Sequence, residues 1–221
     1  MKKIVSFAVI STFLFLLCRL GFSQPIGQPA YPGRPGITPK QRIKANQGSS
    51  DEHVKEVLAM AGQQFIDFTL NGLTEGTTVH LANYKGKVIL LDFSETYCPW
   101  CVKARPYLQK LNDDYKEKGI VILTISALWK NEDPEKDLKK EIEKENFTIP
   151  VALDPDGTVC KGYKVPGFPT FFLIDKKGVI RKVYVGAGEI MNGRIKTEID
   201  ALLEEELKEE LKEKELEKEF E

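Results

Sequence analysis

The chain has 221 residues, of which 42% are hydrophobic and 10% aromatic, enough for one domain with an ordinary core and extensions. Its 32 basic residues nearly balance 33 acidic ones, which argues against a nucleic-acid binder that relies on bulk charge. Four cysteines are too few for a disulfide-stapled scaffold, and two histidines leave little for a histidine-based metal site. We therefore expect no metal, no cofactor and no nucleic-acid partner.

Residues 1–23 have the pattern of a secretory signal. Lys2 and Lys3 precede an apolar run over residues 4–17, which is shorter than the roughly 20 apolar residues that a membrane-spanning helix needs. Small residues near the end of the segment predict cleavage after Ser23. An uncleaved anchor and a lipid on the cysteine of this segment stay open as alternatives. All three predict an exported, periplasmic protein that contacts the membrane only through residues 1–23, if these are retained.

Composition divides the rest of the chain into three parts. Residues 24–50 hold five Pro and four Gly with almost no large apolar residue, so we expect a Pro/Gly-rich linker without a core. Residues 204–221 hold ten Glu and four Lys, which predicts a charged, solvated helical tail. A partner-binding or coiled-coil segment is the alternative for this tail. The folded domain is expected at residues 51–203.

Within that domain the spacing of apolar residues predicts alternating strands and helices. Two runs, Val88–Phe93 and Ile120–Ile125, are almost continuously apolar, as in strands covered on both faces. This pattern implies an α/β fold with a mixed central sheet flanked by helices, an added N-terminal β-hairpin and an extended C-terminal helix. In chain order the predicted elements are a helix at 51–60, hairpin strands at 65–70 and 77–81, a strand at 88–93, a helix at 99–118, a strand at 120–125, a helix at 134–146, strands at 170–174 and 179–185, and a last helix from about 189.

The motif Cys98-Pro99-Trp100-Cys101 stands directly after a predicted strand and opens the following helix. A helix N-terminus favours a thiolate, because its N–H groups are unpaired and the helix dipole is positive there. We predict that Cys98 attacks a partner's disulfide and that Cys101 resolves the mixed disulfide, closing a disulfide between the two. Pro99 and Trp100 are expected to stiffen the loop and to offer the substrate an apolar platform.

Other interpretations of the two cysteines find less support. A zinc site needs a second cysteine pair or nearby histidines, and both histidines are remote in sequence. Haem attachment needs a histidine after the second cysteine, where the chain has Val102. A permanent structural disulfide stays open as an alternative.

Two further positions are expected to belong to the same site. Asp92 interrupts an apolar strand, where burial raises a carboxyl pKa, so it could accept the proton of Cys101 during resolution. A polar residue at a strand edge, satisfied by water, is the alternative. Pro169 begins a strand although proline cannot donate to a sheet, which suggests a cis peptide bond after Phe168. Such a cis-proline would leave the backbone of Phe168 free to pair with an extended substrate.

Over roughly residues 65–203 these features resemble the thioredoxin superfamily. The cysteine motif resembles its redox loop, Asp92 its buried acid, Pro106 its helix kink and Pro169 its cis-proline. The hairpin and the insertion that contains residues 129–146 are similar to the exported TlpA/ResA-type branch. The resemblance implies an exported thiol–disulfide oxidoreductase that acts on disulfide-bearing proteins and receives electrons from a membrane donor. In that branch the usual task is reduction, often of the cysteine pair of apocytochrome c.

Some residues depart from the patterns of this superfamily. Ala104 stands where members that serve cytochrome maturation often carry a Glu, and residues 120–126 lack the lysine that thioredoxin pairs with its buried acid. The dipeptide between the cysteines belongs to neither the usual reductant loop nor the usual oxidant loop. A disulfide oxidase or isomerase therefore stays open. A reductase is favoured, because a neutral Asp92 would not stabilise the Cys98 thiolate.

Two other classes of function are alternatives. A peroxiredoxin-type peroxidase has a similar fold but wants a threonine three residues before its reactive cysteine, where this chain has Glu95, with Thr96 one residue late. A non-enzymatic adaptor would bind partners through the linker and the acidic tail and would not need Cys98. Cys160 is either a small core residue in a short helix or a third redox thiol.

Overall fold

The structure is a computed structural model that describes residues 51–128 and 133–219. The signal predicted at 1–23 and the linker predicted at 24–50 lie outside the described residues, as does the start of the insertion at Trp129. Within the described ranges, no helix is both long enough and apolar enough to cross a membrane.

The described part of the chain contains seven strands, six α-helices and two short 3-10 helices at Leu81–Tyr84 and Lys116–Lys118. The strands are β1 (Thr69–Asn71), β2 (Thr78–His80), β3 (Val88–Glu95), β4 (Ile120–Ala127), β5 (Val151–Asp154), β6 (Thr170–Ile174) and β7 (Ile180–Val185). The helices are α1 (residues 51–58), α2 (Pro99–Tyr115), α3 (Pro134–Glu145), α4 (Thr158–Gly162), α5 (Gly188–Met191) and α6 (Arg194–Glu219).

Five of the strands form one mixed sheet in the order β5-β4-β3-β6-β7. Strands β3, β4 and β5 are parallel, whereas β6 runs antiparallel to β3 and β7 antiparallel to β6. The hairpin of β1 and β2 is a separate two-stranded sheet, and a bridge between Gly72 and Ala152 links it to β5. The predicted α/β fold, a mixed sheet flanked by helices with an added hairpin, is confirmed.

Alternation along β3 divides the core between the two faces of the sheet. Val88 and Leu90 pack in one buried cluster with Leu108 of α2 and with apolar residues of α6. Ile89 and its alternate neighbours pack on the opposite face, in the cluster that contains residues of α1, α4 and the hairpin. Because Asp92 continues the series of Val88 and Leu90, its carboxyl lies on the α2 side of the sheet.

The sequence missed β5 and overestimated the length of the hairpin strands. A four-residue strand after Pro150 is too short for periodicity to separate it from a loop. It forms because β4 offers a parallel edge, on which Thr124 pairs with Val151. The first hairpin strand begins only at residue 69, and before it the N–H of Phe65 donates to the carbonyl of Gly178.

The extended C-terminal helix is present, but it differs from the prediction at its start. Gly193, with a φ of 82°, separates α5 from α6, so the helix expected from about 189 is two helices. Helix α6 then passes residue 204 without a break. The carboxylate of Glu206 accepts a 3.0 Å hydrogen bond from the N–H of Lys176, in the turn between β6 and β7. The tail therefore packs on the domain at its start, whereas Leu211 further along is 52% exposed.

Candidate active site

Cys98 and Cys101 form a disulfide at the start of α2, with their Cα atoms 5.2 Å apart. Cys98 caps the helix, since the backbone N–H of Cys101 donates to the Cys98 sulfur at 3.1 Å. Pro99 follows in the first turn, where its missing N–H costs little because these N–H groups have no partner within a helix. The local sequence thus places one sulfur at the positive end of α2.

The two sulfurs of this disulfide differ in their environment. Cys98 is 8% exposed and Cys101 is 2% exposed, so Cys98 is the more accessible residue of the pair. Trp100 between them is 56% exposed. The ammonium of Lys103 lies 4.3 Å from the centroid of the Trp100 ring, a cation–π contact that orients the indole. An apolar surface therefore adjoins the accessible sulfur.

The Phe168–Pro169 peptide bond is cis and lies next to the disulfide. The Cys98 sulfur is 3.6 Å from the carbonyl oxygen of Phe168. The carbonyl of Pro169 accepts a 2.7 Å hydrogen bond from the N–H of Gly186, which fixes this loop against the end of β7. Among the described residues the N–H of Phe168 has no hydrogen-bond acceptor. The backbone beside Cys98 therefore keeps a donor that an extended peptide can use.

Asp92 is 2% exposed and lies in β3, whose end leads into the redox loop. The hydroxyl of Thr124 donates a 3.0 Å hydrogen bond to its Oδ2, and Oδ1 has no partner among the described residues. Burial raises the pKa of Asp92 to about 7, because the carboxylate loses its hydration. The Thr124 hydroxyl and the Arg105 guanidinium each lower the pKa of this carboxyl in part. Asp92 thus lies on the sheet face that packs against α2, the helix that carries Cys101.

Arg105 is a buried charge at this site that the sequence analysis missed. It is 4% exposed, and its Nη1 donates to Glu141 at 3.1 Å and to Glu145 at 3.2 Å. Arg105 belongs to the inward-facing side of α2, together with Ala104 and Leu108. An arginine on the apolar side of a helix is a signal that the sequence contained. Its partners come from α3, so only the tertiary fold reveals them.

Other residues near the loop have structural partners. The carboxylate of Glu95, which stands where a peroxidase of this fold wants a threonine, accepts a 3.0 Å hydrogen bond from the N–H of Tyr97. Cys160 is a free cysteine in α4, 9% exposed, and its N–H donates to Asp154 at 2.8 Å. Burial, and then the Asp154 carboxylate, raise the pKa of the Cys160 thiol far above its usual range. The structure therefore favours a core role for Cys160.

Comparisons with known proteins agree with this geometry. The model of the AhpC/TSA family matches residues 61–183, more than half of the chain. The thiol-disulfide oxidoreductase ResA of Halalkalibacterium halodurans is 34% identical over 129 residues, which cover 58% of this chain and 70% of that protein. ResA of Bacillus thuringiensis subsp. konkukian is 32% identical over 151 residues, 68% of this chain and 81% of that protein.

A solved structure shows the same similarity at the level of the fold. The thioredoxin domain of a thiol-disulfide oxidoreductase from Bacteroides vulgatus superposes with a TM-score of 0.54 and is 30% identical, over 62% of this chain and 96% of that domain. The match spans nearly the whole of that domain. The chain therefore belongs to the AhpC/TSA family and, within it, to the thiol-disulfide oxidoreductases of the ResA type.

Proposed function

We propose that this protein is an exported reductase of protein disulfides, with Cys98 as nucleophile and Cys101 as resolving thiol. The observation that carries the proposal is the Cys98–Cys101 disulfide at the N-terminus of α2, beside the cis Phe168–Pro169 bond. A reactive sulfur next to an unpaired backbone donor suits a partner that binds as an extended segment. Trp100 supplies apolar contact to the same segment.

In the first step the Cys98 thiolate of the reduced enzyme attacks one sulfur of a substrate disulfide. A bond forms between Cys98 and that sulfur, the substrate disulfide breaks, and its second sulfur leaves as a thiolate that takes a proton from water. The N–H of Cys101 and the positive end of α2 stabilise the attacking thiolate. Phe168 holds the substrate backbone while the bond forms.

In the second step Cys101 resolves the mixed disulfide. Its thiol gives its proton to the Asp92 carboxylate, and the resulting thiolate attacks the Cys98 sulfur, releasing the substrate's remaining sulfur as a thiolate that is then protonated. The substrate has gained two electrons and two protons, and the enzyme is left as the Cys98–Cys101 disulfide. A pKa near 7 suits Asp92 to this transfer, since both of its protonation states are populated at neutral pH. An exported or membrane dithiol must then return two electrons to the pair.

The charges around the pair support the reducing direction. Strong oxidants of this kind stabilise their reduced form through an acidic thiolate. Asp92 is neutral below its pKa of about 7 and negative above it, and in neither state does it favour a thiolate nearby. The backbone and the α2 dipole are then the main stabilisers of the Cys98 thiolate. We therefore place the pair among the reductants.

Export and substrate class rest on the sequence. The basic and apolar pattern of residues 1–23 supports secretion, and the tail of 204–221 stays on the exported side with the domain. The resemblance to the TlpA/ResA branch makes the cysteine pair of apocytochrome c the candidate substrate. Protease added to intact spheroplasts should digest the domain, whereas a protected domain would contradict export.

The substrate proposal can be tested with the full-length protein in its reduced form. It is mixed with an oxidised apocytochrome c peptide and, separately, with insulin, and the released thiols are counted over time. We expect the apocytochrome peptide to be reduced at least tenfold faster, with Cys98→Ser inactive on both. Equal rates would contradict a preference for apocytochrome c, while disulfide reduction itself would still be supported. Failure to reduce either disulfide would contradict the reductase itself.

A further inference from the structure

Helix α3 carries three carboxylates that contact the residue before the redox loop or helix α2. Asp137 accepts a 2.8 Å hydrogen bond from the hydroxyl of Tyr97, the residue before the nucleophile. Glu141 and Glu145 both bind Nη1 of Arg105. Because the three acids are spaced four residues apart, they share one side of α3. We call them the α3 carboxylate ridge.

Arg105 lies between this ridge and the interior of the domain. Its side chain is 5% exposed, and its Nη2 is buried without a hydrogen-bond partner among the described residues. A buried N–H group without an acceptor is costly, so the ridge alone does not account for the residue. Arg105 follows Cys101 by four residues, which places both on the same side of α2. That side packs on the sheet face to which Asp92 belongs.

Asp92 has the complementary unpartnered atom. Its Oδ1 is buried and accepts no hydrogen bond from the described residues, while Oδ2 is taken by the Thr124 hydroxyl. Arg105 is the charged group that acts on this carboxyl, and it lowers the Asp92 pKa. The Arg105 guanidinium thus has an unpaired N–H donor and the Asp92 carboxyl an unpaired acceptor oxygen, and both are buried where α2 packs on the sheet.

Among the described residues, the strands that flank Asp92 place no second charged side chain against it. On β4 its register partner is Thr124, and on β6 it is Phe171. Tyr184 of β7 is buried further along the same face, and the charged groups that act on it are Glu189, Arg194 and Glu198. From α3, Glu141 and Glu145 both pair with the guanidinium of Arg105. The net charge that Asp92 experiences therefore depends on the guanidinium and on how far the ridge neutralises it.

We propose that Arg105 is a positioning residue for the exchange reaction, held by Glu141 and Glu145 so that its guanidinium favours the charged form of Asp92. The inference rests on the proposed role of Asp92 as proton acceptor. In the resolving step the S–H bond of Cys101 breaks and its proton moves to the Asp92 carboxylate. Arg105 exchanges neither protons nor electrons. It makes the carboxylate available at neutral pH, in spite of burial.

This arrangement predicts that removing Arg105 and removing the two glutamates shift the pKa of Asp92 in opposite directions. Without the guanidinium, the carboxylate loses an attractive charge, so the pKa of Asp92 should rise. Without the charges of Glu141 and Glu145, the guanidinium is less neutralised, so the pKa of Asp92 should fall. A side chain that only packs α2 against α3 would not produce shifts of opposite sign.

The test follows the carboxyl ¹³C signal of Asp92 against pH in the full-length oxidised protein, in which neither redox cysteine titrates. The variants are Arg105→Met, Arg105→Lys and the double change Glu141→Gln with Glu145→Gln. We expect the titration midpoint to rise in the first, to return towards the wild type in the second and to fall in the third. Thiol release from a mixed disulfide at pH 7 should slow about fivefold in Arg105→Met, as for an acceptor whose pKa rises by one pH unit from about 7.

The controls separate this inference from the proposed function. Arg181→Met removes an arginine that pairs with Glu205 on the β7–α6 side, and it should leave the midpoint unchanged. Unchanged midpoints in the Arg105 and double variants, or shifts in the same direction, would overturn the inference. If Arg105→Met does not fold, the double variant still decides by the sign of its shift. Should Asp92→Asn resolve mixed disulfides as fast as the wild type, the role of Asp92 fails as well.

Discussion

The hydroxyl of Thr124 on β4 donates a 3.0 Å hydrogen bond to the carboxyl of Asp92 on β3. The two residues are direct partners in the parallel register of the strands, and both are buried. Within the described chain this hydroxyl is the one hydrogen-bond donor that Asp92 has. It stabilises the charged carboxylate against the cost of burial and so helps to hold the pKa of the acid near neutrality.

Thr124→Val should therefore raise the pKa of Asp92, because valine keeps the shape of threonine and removes the donor. The same ¹³C titration of the oxidised protein measures the midpoint. Resolution of a mixed disulfide at pH 7 should slow several-fold in this variant. Thr78→Val, at an exposed position of β2, is the matched control and should change neither quantity. A midpoint equal to that of the wild type would show that the hydrogen bond has no effect on the acid.

Asp92→Asn should make the protein more stable at alkaline pH. The pKa of Asp92 is about 7 in the folded protein against 3.8 for the ordinary group, so between these values the folded state holds more protons than the unfolded state. The free energy of unfolding therefore falls as pH rises from about 4 through 7. At about 1.4 kcal/mol per pH unit, the wild type loses about 4 kcal/mol by pH 8.

Urea unfolding of both proteins at pH 4 and pH 8 measures this difference. The asparagine variant should be the more stable protein at pH 8, and its advantage should shrink towards pH 4, where the acid is protonated in both states. A variant that is less stable than the wild type at pH 8 would contradict the burial cost assigned to Asp92.

Cys101→Ser should accumulate mixed disulfides with protein substrates, because the nucleophile remains and the resolving thiol is missing. The complexes would be seen as bands of higher mass on a non-reducing gel that vanish with dithiothreitol. Cys98→Ser is the matched variant and should trap far less, since the remaining Cys101 is almost fully buried. Equal trapping in the two variants would contradict the assignment of Cys98 as nucleophile and Cys101 as resolving thiol.

Glu206→Ala should destabilise the domain by about 1.5 kcal/mol, since its carboxylate accepts the Lys176 N–H and is largely buried. Thermal unfolding of the full-length protein measures the loss. Glu213→Ala, one of the exposed acids further along α6, is the control and should leave the melting temperature unchanged. A tail that is solvated from residue 204 onwards would instead make the two variants alike.

The redox pair and the sheet could be predicted because their signals are local. A cysteine pair that opens a helix after an apolar strand predicts the site, and the almost continuously apolar run of β3 is enough to suggest the burial of Asp92. Arg105 could not be predicted, because its ion pairs depend on how α3 packs against α2. Glu206 shows the same limit: composition placed it in solvent, and only its packing against the β6–β7 turn buries it.

The reduction potential of the Cys98–Cys101 pair in the full-length protein tests the central proposal most directly. The protein is equilibrated with glutathione or dithiothreitol buffers, and the fraction of reduced pair is determined at each ratio. A reductase requires a value of about −220 mV or below, on the side of thioredoxin. A value near about −120 mV, that of a strong oxidant, would contradict the proposed direction of the reaction.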